Sequence, residues 1–254
     1  MPVETLLTIE GLAKTYPSGA AALSGFDLRV ARGEFLSLVG PSGCGKSTAL
    51  RLVAGLAEPT SGRVAWSLPD PTIGFVFQDP TLLPWARVWD NVYLPLRLQG
   101  VARGAAADRI DDALARVGLA DRRDAYPRQL SGGMRMRAAI ARALVTRPRV
   151  LLMDEPFAAL DEITRSRLND DLLGLYAQSD LTVLFVTHSV YESAYLSSRV
   201  AVMQAGPGRV VEQVEIDAPY PRGDDWRRDA RYLEACRRTS AALQRATDPA
   251  PTVK

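Results

Sequence analysis

Three short, mainly apolar runs mark the chain, at Phe35–Val39, Val150–Met153 and Leu181–Val186. Apolar runs of this length are typical of strands that are buried on both faces of a parallel sheet. By contrast, residues 6–10 and 26–30 alternate apolar and polar side chains, which predicts half-exposed strands near the N-terminus. The pattern therefore predicts an α/β fold built around a parallel sheet.

The pattern becomes helical between Asp90 and Arg149. Ile110 and Leu114 fall on one face of a predicted helix, and Gly118 is a suitable stop for it. We expect this block to form a second, helical lobe. The polar segment from Asp224 to Arg245 also has a helical pattern, and Asp248–Pro251 is expected to be frayed.

Composition narrows the class of protein. With 254 residues and 47% hydrophobic side chains, the chain can bury a full core. No window approaches the ~18 consecutive apolar residues of a membrane span, and no secretory signal is expected, which points to the cytoplasm. The net charge of +2 gives no reason to expect a nucleic-acid partner.

The two cysteines, Cys44 and Cys236, form no disulfide framework and have no metal-ligand spacing. We expect Cys44 to be exposed near the start of a helix. Any reactivity of its thiol would follow from that position.

The first candidate site is a loop that matches G-x-x-x-x-G-K-[ST] between a predicted strand and a predicted helix. Its glycines allow backbone N–H groups to converge on phosphate oxygens, with the positive end of the helix behind them. Lys46 adds a point charge, and the Ser47 hydroxyl can bind Mg²⁺. A glycine-rich turn without a ligand is the alternative, which both flanks disfavour. The loop residues are Gly40, Pro41, Ser42, Gly43, Cys44, Gly45, Lys46, Ser47 and Thr48.

Two further segments carry candidate chemistry. Ser131, Gly132 and Gly133 precede a predicted helix at Met134–Leu144, where a serine and two glycines favour either an anion site or an ordinary N-cap. The strand at Val150–Met153 ends in Asp154 and Glu155, so a carboxylate follows a buried strand.

The three segments resemble the Walker A, signature and Walker B motifs of ATP-binding cassette (ABC) ATPases, and the resemblance extends over residues 7–214. It implies a P-loop NTPase (RecA-like) core with a mainly parallel sheet, an N-terminal antiparallel β region and an inserted α-helical subdomain. It also implies ATP and Mg²⁺ as cofactors. In that family two cassettes form a dimer, and each ATP lies between the phosphate loop of one and the signature loop of the other.

The resemblance divides the chain into four segments. Residues 1–89 would form the first part of the ATP-binding core, residues 90–149 the helical signature subdomain, and residues 150–223 the second part of the core. Residues 224–254 would form a helical tail.

The resemblance also assigns roles to single residues. Tyr16 would stack on adenine; Mg²⁺ would be bound by Ser47, Gln78 and Asp154. Glu155 would be the general base, and His188 would contact the γ-phosphate. The partner's ATP would be bound by Ser131, Gly132 and Gly133, and Asp161 would lie in the D-loop that crosses the dimer. Three of these residues have a purely structural alternative. Tyr16 could pack in its loop, Asp161 could be the N-cap of a helix, and His188, the only histidine, could have a structural role.

Within the family the chain resembles the ATPase subunits of bacterial importers, above all the nitrate, sulfonate and taurine subfamily, which includes transporters of pyrimidine precursors. That implies permease subunits, an extracytoplasmic substrate-binding protein, and a peripheral position on the cytoplasmic face of the inner membrane. Leu82, Leu83 and Trp85 would dock the permease, unless Trp85 packs inside the helical lobe. A non-transport ATPase acting on DNA or ribosomes is the alternative. The transported solute cannot be determined from the chain.

Overall fold

The computed structural model describes residues 4–247, and the chain divides into two compact units. The first unit joins the chain up to Pro71 to the chain from Leu181 onward, and the second is Thr72–Asp180. The expected fraying of Asp248–Pro251 lies outside the described residues.

The described residues form strands and helices in the following order along the chain. The strands are β1 (Thr5–Thr15), β2 (Ala21–Ala31), β3 (Phe35–Val39), β4 (Ser61–Trp66), β5 (Ile73–Val76), β6 (Val150–Asp154), β7 (Thr182–Val186), β8 (Arg199–Gln204) and β9 (Arg209–Glu215). The α-helices are α1 (Lys46–Val53), α2 (Val88–Leu98), α3 (Arg103–Arg116), α4 (Gly132–Leu144), α5 (Glu162–Ala177), α6 (Val190–Leu196), α7 (Asp224–Arg228) and α8 (Ala230–Thr247).

The first unit contains two sets of paired strands. One is an antiparallel sheet in the order β2-β1-β4, and the other runs in the order β7-β3-β8-β9. Strand β3 pairs in parallel with β7, and Leu38 lies opposite Val186. Every residue of β3 and β7 is buried, as the apolar runs predicted. Because the two strands are parallel and in register, the segments that follow them leave the sheet at the same edge.

The second unit pairs β5 with β6 in parallel and adds the helices α2 to α5. Ile110 and Leu114 on α3 are fully buried, which confirms the predicted apolar face. Gly118 follows with a φ of +68°, a left-handed conformation that suits the end of a helix.

The predicted fold class is confirmed: an N-terminal antiparallel sheet, mainly parallel strands and a helical region. Within residues 224–247 the predicted tail forms two helices, α7 and α8, and α8 buries Tyr232, Cys236 and Ala242. Among residues 4–247, no helix combines the length and the apolar character that crossing a membrane requires.

Candidate nucleotide site

The phosphate loop leaves β3 at Val39 and enters α1 at Lys46. Gly45, the N-cap residue of α1, has a φ of +95°, and a Cβ there would lie 2.7 Å from the Ala22 carbonyl oxygen. Only glycine fits this position without strain. The helix therefore begins with no side-chain cap, so its positive end faces the loop, an arrangement that favours anions.

The Lys46 side chain is held inside the loop. Its ammonium donates hydrogen bonds to the carbonyl oxygens of Gly40, at 2.9 Å, and Pro41, at 3.2 Å. Lys46 is only 5% exposed. The positive charge is therefore fixed at the loop itself, where the sequence motif requires it.

The expectation of an exposed Cys44 is wrong. This residue is 1% exposed, and its sulfur lies 4.0 Å from the Lys46 ammonium. The thiol occupies the space beside Gly40, since a Cβ on that glycine would lie 2.7 Å from the Cys44 sulfur. The side chain supports the loop from inside rather than facing solvent.

Tyr16 lies beside the end of the phosphate loop. Its hydroxyl is 3.2 Å from the Thr48 hydroxyl, and the Lys14 ammonium lies 5.6 Å from the centre of its ring. The residue is 37% exposed, so part of its ring remains accessible. The structure thus brings Tyr16 to the predicted ATP site, while stacking on adenine stays a prediction.

His188 follows β7, at the same edge of the sheet where Gly40 follows β3. The Thr187 N–H donates to the Leu38 carbonyl at 3.2 Å, which extends the pairing of the two strands to the residue before His188. Thr187 is buried, whereas His188 is exposed. Topology therefore gathers the lone histidine and the phosphate loop at one edge.

In the second unit, parallel strand pairing likewise brings Gln78 to the edge of the sheet where Asp154 and Glu155 lie. Strand β5 is in register with β6, with Val76 opposite Met153. Gln78 follows β5 after one intervening residue, and Asp154, which is 5% exposed, is the last residue of β6. An amide and a carboxylate thus leave the sheet at the same edge.

Glu155 has an unusual backbone conformation. Its φ is +45°, in the left-handed region that non-glycine residues rarely occupy. Such a conformation costs about 1–3 kcal/mol and is found most often at functional sites. A strand that simply ended in solvated acidic residues would not require this conformation.

The signature segment begins α4. The Ser131 hydroxyl accepts a hydrogen bond from the Met134 N–H at 3.2 Å, so Ser131 is the N-cap of the helix. A Cβ on Gly133 would lie 2.6 Å from the Thr164 methyl carbon, which leaves no room for a side chain. The glycine allows close packing of α4 against the start of α5.

Asp161 belongs to that same neighbourhood. Its carboxylate accepts a hydrogen bond from the Thr164 N–H at 2.9 Å and caps α5. This backbone hydrogen bond lowers the pKa of Asp161. The capping alternatives for Ser131 and Asp161 are thus both observed, and they are compatible with a role at a partner's ATP, which stays a prediction.

Trp85 does not pack inside the helical lobe. It is 75% exposed, and Leu82 and Leu83 are half-buried in the same loop. Leu83 and Trp85 line an open cavity of about 520 Å³ together with Tyr93 and Arg97. This excludes the packing alternative and leaves an accessible aromatic side chain beside a cavity of mixed polarity.

Sequence reasoning missed Asn91, which organises the loop of residues 80–87. Asn91 is fully buried, and its side chain accepts from the Leu83 N–H at 2.7 Å. Its amide group donates to the carbonyls of Leu83, Ala86 and Arg87 at 3.2, 3.1 and 3.0 Å. An asparagine among the apolar positions of a predicted helix was the available signal.

Arg142 holds the other end of the same loop. From α4 its guanidinium donates to the carbonyls of Pro80 and Thr81, at 2.7 and 2.8 Å, and to the Thr81 hydroxyl, at 2.9 Å. Thr81 has a φ of +46°. Burial lowers the pKa of Arg142. No sequence signal indicates this contact, since 61 residues separate Arg142 from Thr81.

The residues proposed for Mg²⁺ offer suitable atoms. Ser47, Gln78 and Asp154 supply a hydroxyl, an amide carbonyl and a carboxylate, all hard oxygen donors. Proteins commonly hold Mg²⁺ through one or two carboxylates, together with water and substrate phosphates. Within the described part of the chain, no three His, Cys, Asp or Glu side chains are grouped to hold a metal.

Comparison with known proteins gives consistent matches. The family model of the ABC transporter matches residues 23–158. An aliphatic sulfonates import ATP-binding protein of Rhodopseudomonas palustris is 45% identical over 221 residues, covering 85% of this chain and 76% of that protein. A bicarbonate transport ATP-binding protein of Synechococcus elongatus is 40% identical over 228 residues, covering 85% of this chain and 34% of that protein.

Solved structures match as well. A dimeric post-hydrolysis state of an ATP-binding cassette, bound to ADP and Pi, superposes with a TM-score of 0.73 at 32% identity. The match covers 84% of this chain and 100% of that one.

Proposed function

Since the chain belongs to the ABC transporter family, we propose that it is the ATP-hydrolysing subunit of an importer for a small anionic solute. The phosphate loop carries this proposal. Gly45 is fixed in a conformation that only glycine fits, α1 starts without a side-chain cap, and the Lys46 charge is held within the loop. Each of these features favours a polyphosphate over a neutral ligand.

ATP binding would change the hydrogen-bond partners of the Lys46 ammonium. The β- and γ-phosphate oxygens take over the Lys46 ammonium from the carbonyls of Gly40 and Pro41, while the backbone N–H groups of the loop, which Pro41 lacks, surround the phosphates. Tyr16 stacks on the adenine. This stacking supplies affinity rather than selectivity, because every base offers an aromatic face.

Hydrolysis would depend on residues that follow the parallel strands. Glu155 orients and deprotonates the attacking water, and His188 contacts the γ-phosphate. Ser47, Gln78 and Asp154 hold Mg²⁺, which neutralises charge on the phosphates when it is bound. The strained backbone of Glu155 and the exposed position of His188 support these roles.

The complete site would need a second copy of the chain. Ser131, Gly132 and Gly133 of one cassette close over the ATP of the other, and Asp161 crosses the dimer. The dimeric solved relative with bound ADP and Pi supports this arrangement. Loss of the shared γ-phosphate then lets the dimer open, which is the conformational step that drives transport.

A permease would receive that movement at the 80–87 loop. Leu82, Leu83 and Trp85 are the proposed anchor, since an exposed aromatic flanked by leucines is typical of an interface core. Arg97 lines the same cavity. In this scheme the chain lies on the cytoplasmic face of the inner membrane, and a separate extracytoplasmic protein selects the solute.

The domain boundaries follow the same proposal. Residues 1–89 and 150–223 form the ATP-binding core, residues 90–149 the helical signature subdomain, and residues 224–254 the tail. The relatives named for sulfonates and bicarbonate support an anionic solute. Nitrate, taurine and pyrimidine precursors belong to the same group of candidates.

Two substitutions test the ATPase. Glu155→Gln should keep ATP binding and stall hydrolysis, so that gel filtration with ATP and Mg²⁺ shows a dimer that apo protein lacks. Lys46→Ala should abolish turnover and weaken nucleotide binding, because it removes the charge that the phosphates face. Arg51→Ala, at an exposed cation near the other end of α1, is the matched control. Wild-type turnover in Lys46→Ala would refute the nucleotide site, and a monomeric Glu155→Gln would refute the shared-site dimer.

A further inference from the structure

A closed ring of hydrogen bonds involves the two chain neighbours of His188, Thr187 and Ser189. The Thr187 hydroxyl donates to the Glu192 carboxylate and accepts from the Ser189 N–H at 3.0 Å. The Ser189 hydroxyl in turn accepts from the Glu192 N–H at 3.2 Å. The ring therefore joins the residue before His188 to the residue after it, through one carboxylate on α6.

The ring departs from ordinary helix capping. Ser189 and Glu192 have the spacing of a capping box, in which the glutamate would accept directly from the backbone N–H of the serine. Here the Ser189 N–H bonds to Thr187 instead, and Glu192 bonds to that threonine. The carboxylate thus acts two residues before the helix cap, on the segment that leads into His188.

Burial makes these bonds matter. Thr187 is 2% exposed and Glu192 is 8% exposed, although Glu192 lies on a short helix whose neighbouring Tyr191 is 69% exposed. A carboxylate is rarely buried unless it is bonded, because removing it from water is costly. The Thr187 N–H is also fixed, by its bond to the Leu38 carbonyl at 3.2 Å. The backbone on both sides of His188 is consequently held in place.

We infer that Glu192 is a positioning residue for His188, acting through the Thr187 hydroxyl. The inference rests on the proposed function, in which His188 contacts the γ-phosphate. An exposed side chain is oriented mainly by its own backbone, so a fixed backbone keeps the His188 imidazole close to its reacting position. Misplacing a reacting group by about 1 Å can cost on the order of 100-fold in rate.

Enzyme kinetics give the first test. In the full-length protein, Glu192→Ala and Thr187→Val should each lower kcat by about 10- to 100-fold with KM for ATP nearly unchanged, since only the reacting geometry is lost. Glu192→Gln keeps a hydrogen-bond acceptor at position 192, and Thr187→Ser keeps the hydroxyl at position 187. Both variants should therefore retain most of the wild-type kcat. Tyr191→Ala, next to Glu192 but exposed, is the matched control and should behave as wild type.

The single histidine allows a second test, which distinguishes a positioning role of Glu192 from a merely structural one. His188 is the only histidine in the chain. After removal of any affinity tag, a ¹H–¹³C correlation spectrum should show a single imidazole signal of the Cε1–Hε1 type, which reports on this residue alone. Glu192→Ala and Thr187→Val should move and sharpen the signal as the segment gains mobility. Glu192→Gln, Thr187→Ser and the control should leave it in place.

The outcomes separate the two proposals. A fall in kcat without any change in the imidazole signal overturns the positioning role, as does wild-type kcat in both Glu192→Ala and Thr187→Val. If His188→Ala retains wild-type turnover, the proposed role of the histidine fails, and the spectra still decide whether Glu192 holds the segment. Should Glu192→Ala fail to fold, the isosteric Thr187→Val and its Thr187→Ser counterpart carry the test.

Discussion

Replacing Asn91 by alanine should release the 80–87 loop from α2. The substitution removes four hydrogen bonds, and their partners are affected unequally. The Leu83 carbonyl keeps its bond from the Ala86 N–H, and the Arg87 carbonyl keeps its bond from the backbone N–H of residue 91. Within residues 4–247 the Leu83 N–H and the Ala86 carbonyl have no other hydrogen-bond partner.

The size of the effect follows from those two groups. A buried polar group that loses its partner costs about 1–3 kcal/mol. Leu83 and Ala86 are half-buried, so water can reach them in part and the lower end of that range applies. The free energy of unfolding should therefore fall by about 2–3 kcal/mol. For a chain of this size, this corresponds to a decrease in Tm of about 5–10 °C.

Thermal unfolding followed by circular dichroism measures the stability change, and hydrogen exchange measures its location. Exchange of the Leu83 amide should accelerate in Asn91→Ala, because the asparagine oxygen is its acceptor. Gln99→Ala, at the exposed C-cap of the same helix, should change neither quantity. Unchanged exchange at Leu83 would refute the conclusion that Asn91 holds the loop.

Three further predictions concern other contacts. Arg142→Lys should accelerate amide exchange at residues 81–83, because an ammonium lacks the planar fork that bonds Pro80 and Thr81 together; protection equal to wild type would contradict this. Tyr16→Phe should retain nucleotide affinity in a fluorescence titration, whereas Tyr16→Ala should lose about 10-fold or more. If Phe loses as much as Ala, the bond to Thr48 matters more than stacking. In a Cys236→Ser background, the Cys44 thiol should react slowly with Ellman's reagent until denaturant is added, and rapid labelling of that folded variant would contradict its burial.

The apolar runs predicted the central strands well. Strand β3 has the predicted bounds Phe35–Val39, and β6 and β7 each differ from the predicted run by one residue at one end. Continuous burial on both faces leaves a simple pattern in the sequence, because every position must be apolar. The phosphate loop was predictable for a related reason, since its glycines and Lys46 are fixed by local backbone geometry.

Contacts between segments that are distant in the chain leave no comparable pattern in the sequence, so they could not be predicted from it. The burial of Cys44 depends on the close approach of Gly208, where an added Cβ would lie 1.9 Å from the Cys44 carbonyl oxygen. The Arg142 contact depends on how α4 packs, and its sequence neighbours give no sign of it. The capping box at Ser189 and Glu192 is visible in the sequence, but the insertion of Thr187 into it is a matter of tertiary geometry.

The two residues that sequence reasoning missed in the second unit hold the same loop from opposite ends. Arg142 lies on α4, the helix that Ser131 caps, and it bonds to Pro80 and Thr81. Asn91 on α2 fixes the loop at Leu83 and beyond. A loop fixed in this way cannot shift freely with respect to α4. We therefore expect any displacement of α4 to move the loop together with the exposed Trp85. Under the proposed permease contact at Trp85, the Arg142→Lys and Asn91→Ala variants should also weaken the coupling of ATP hydrolysis to transport.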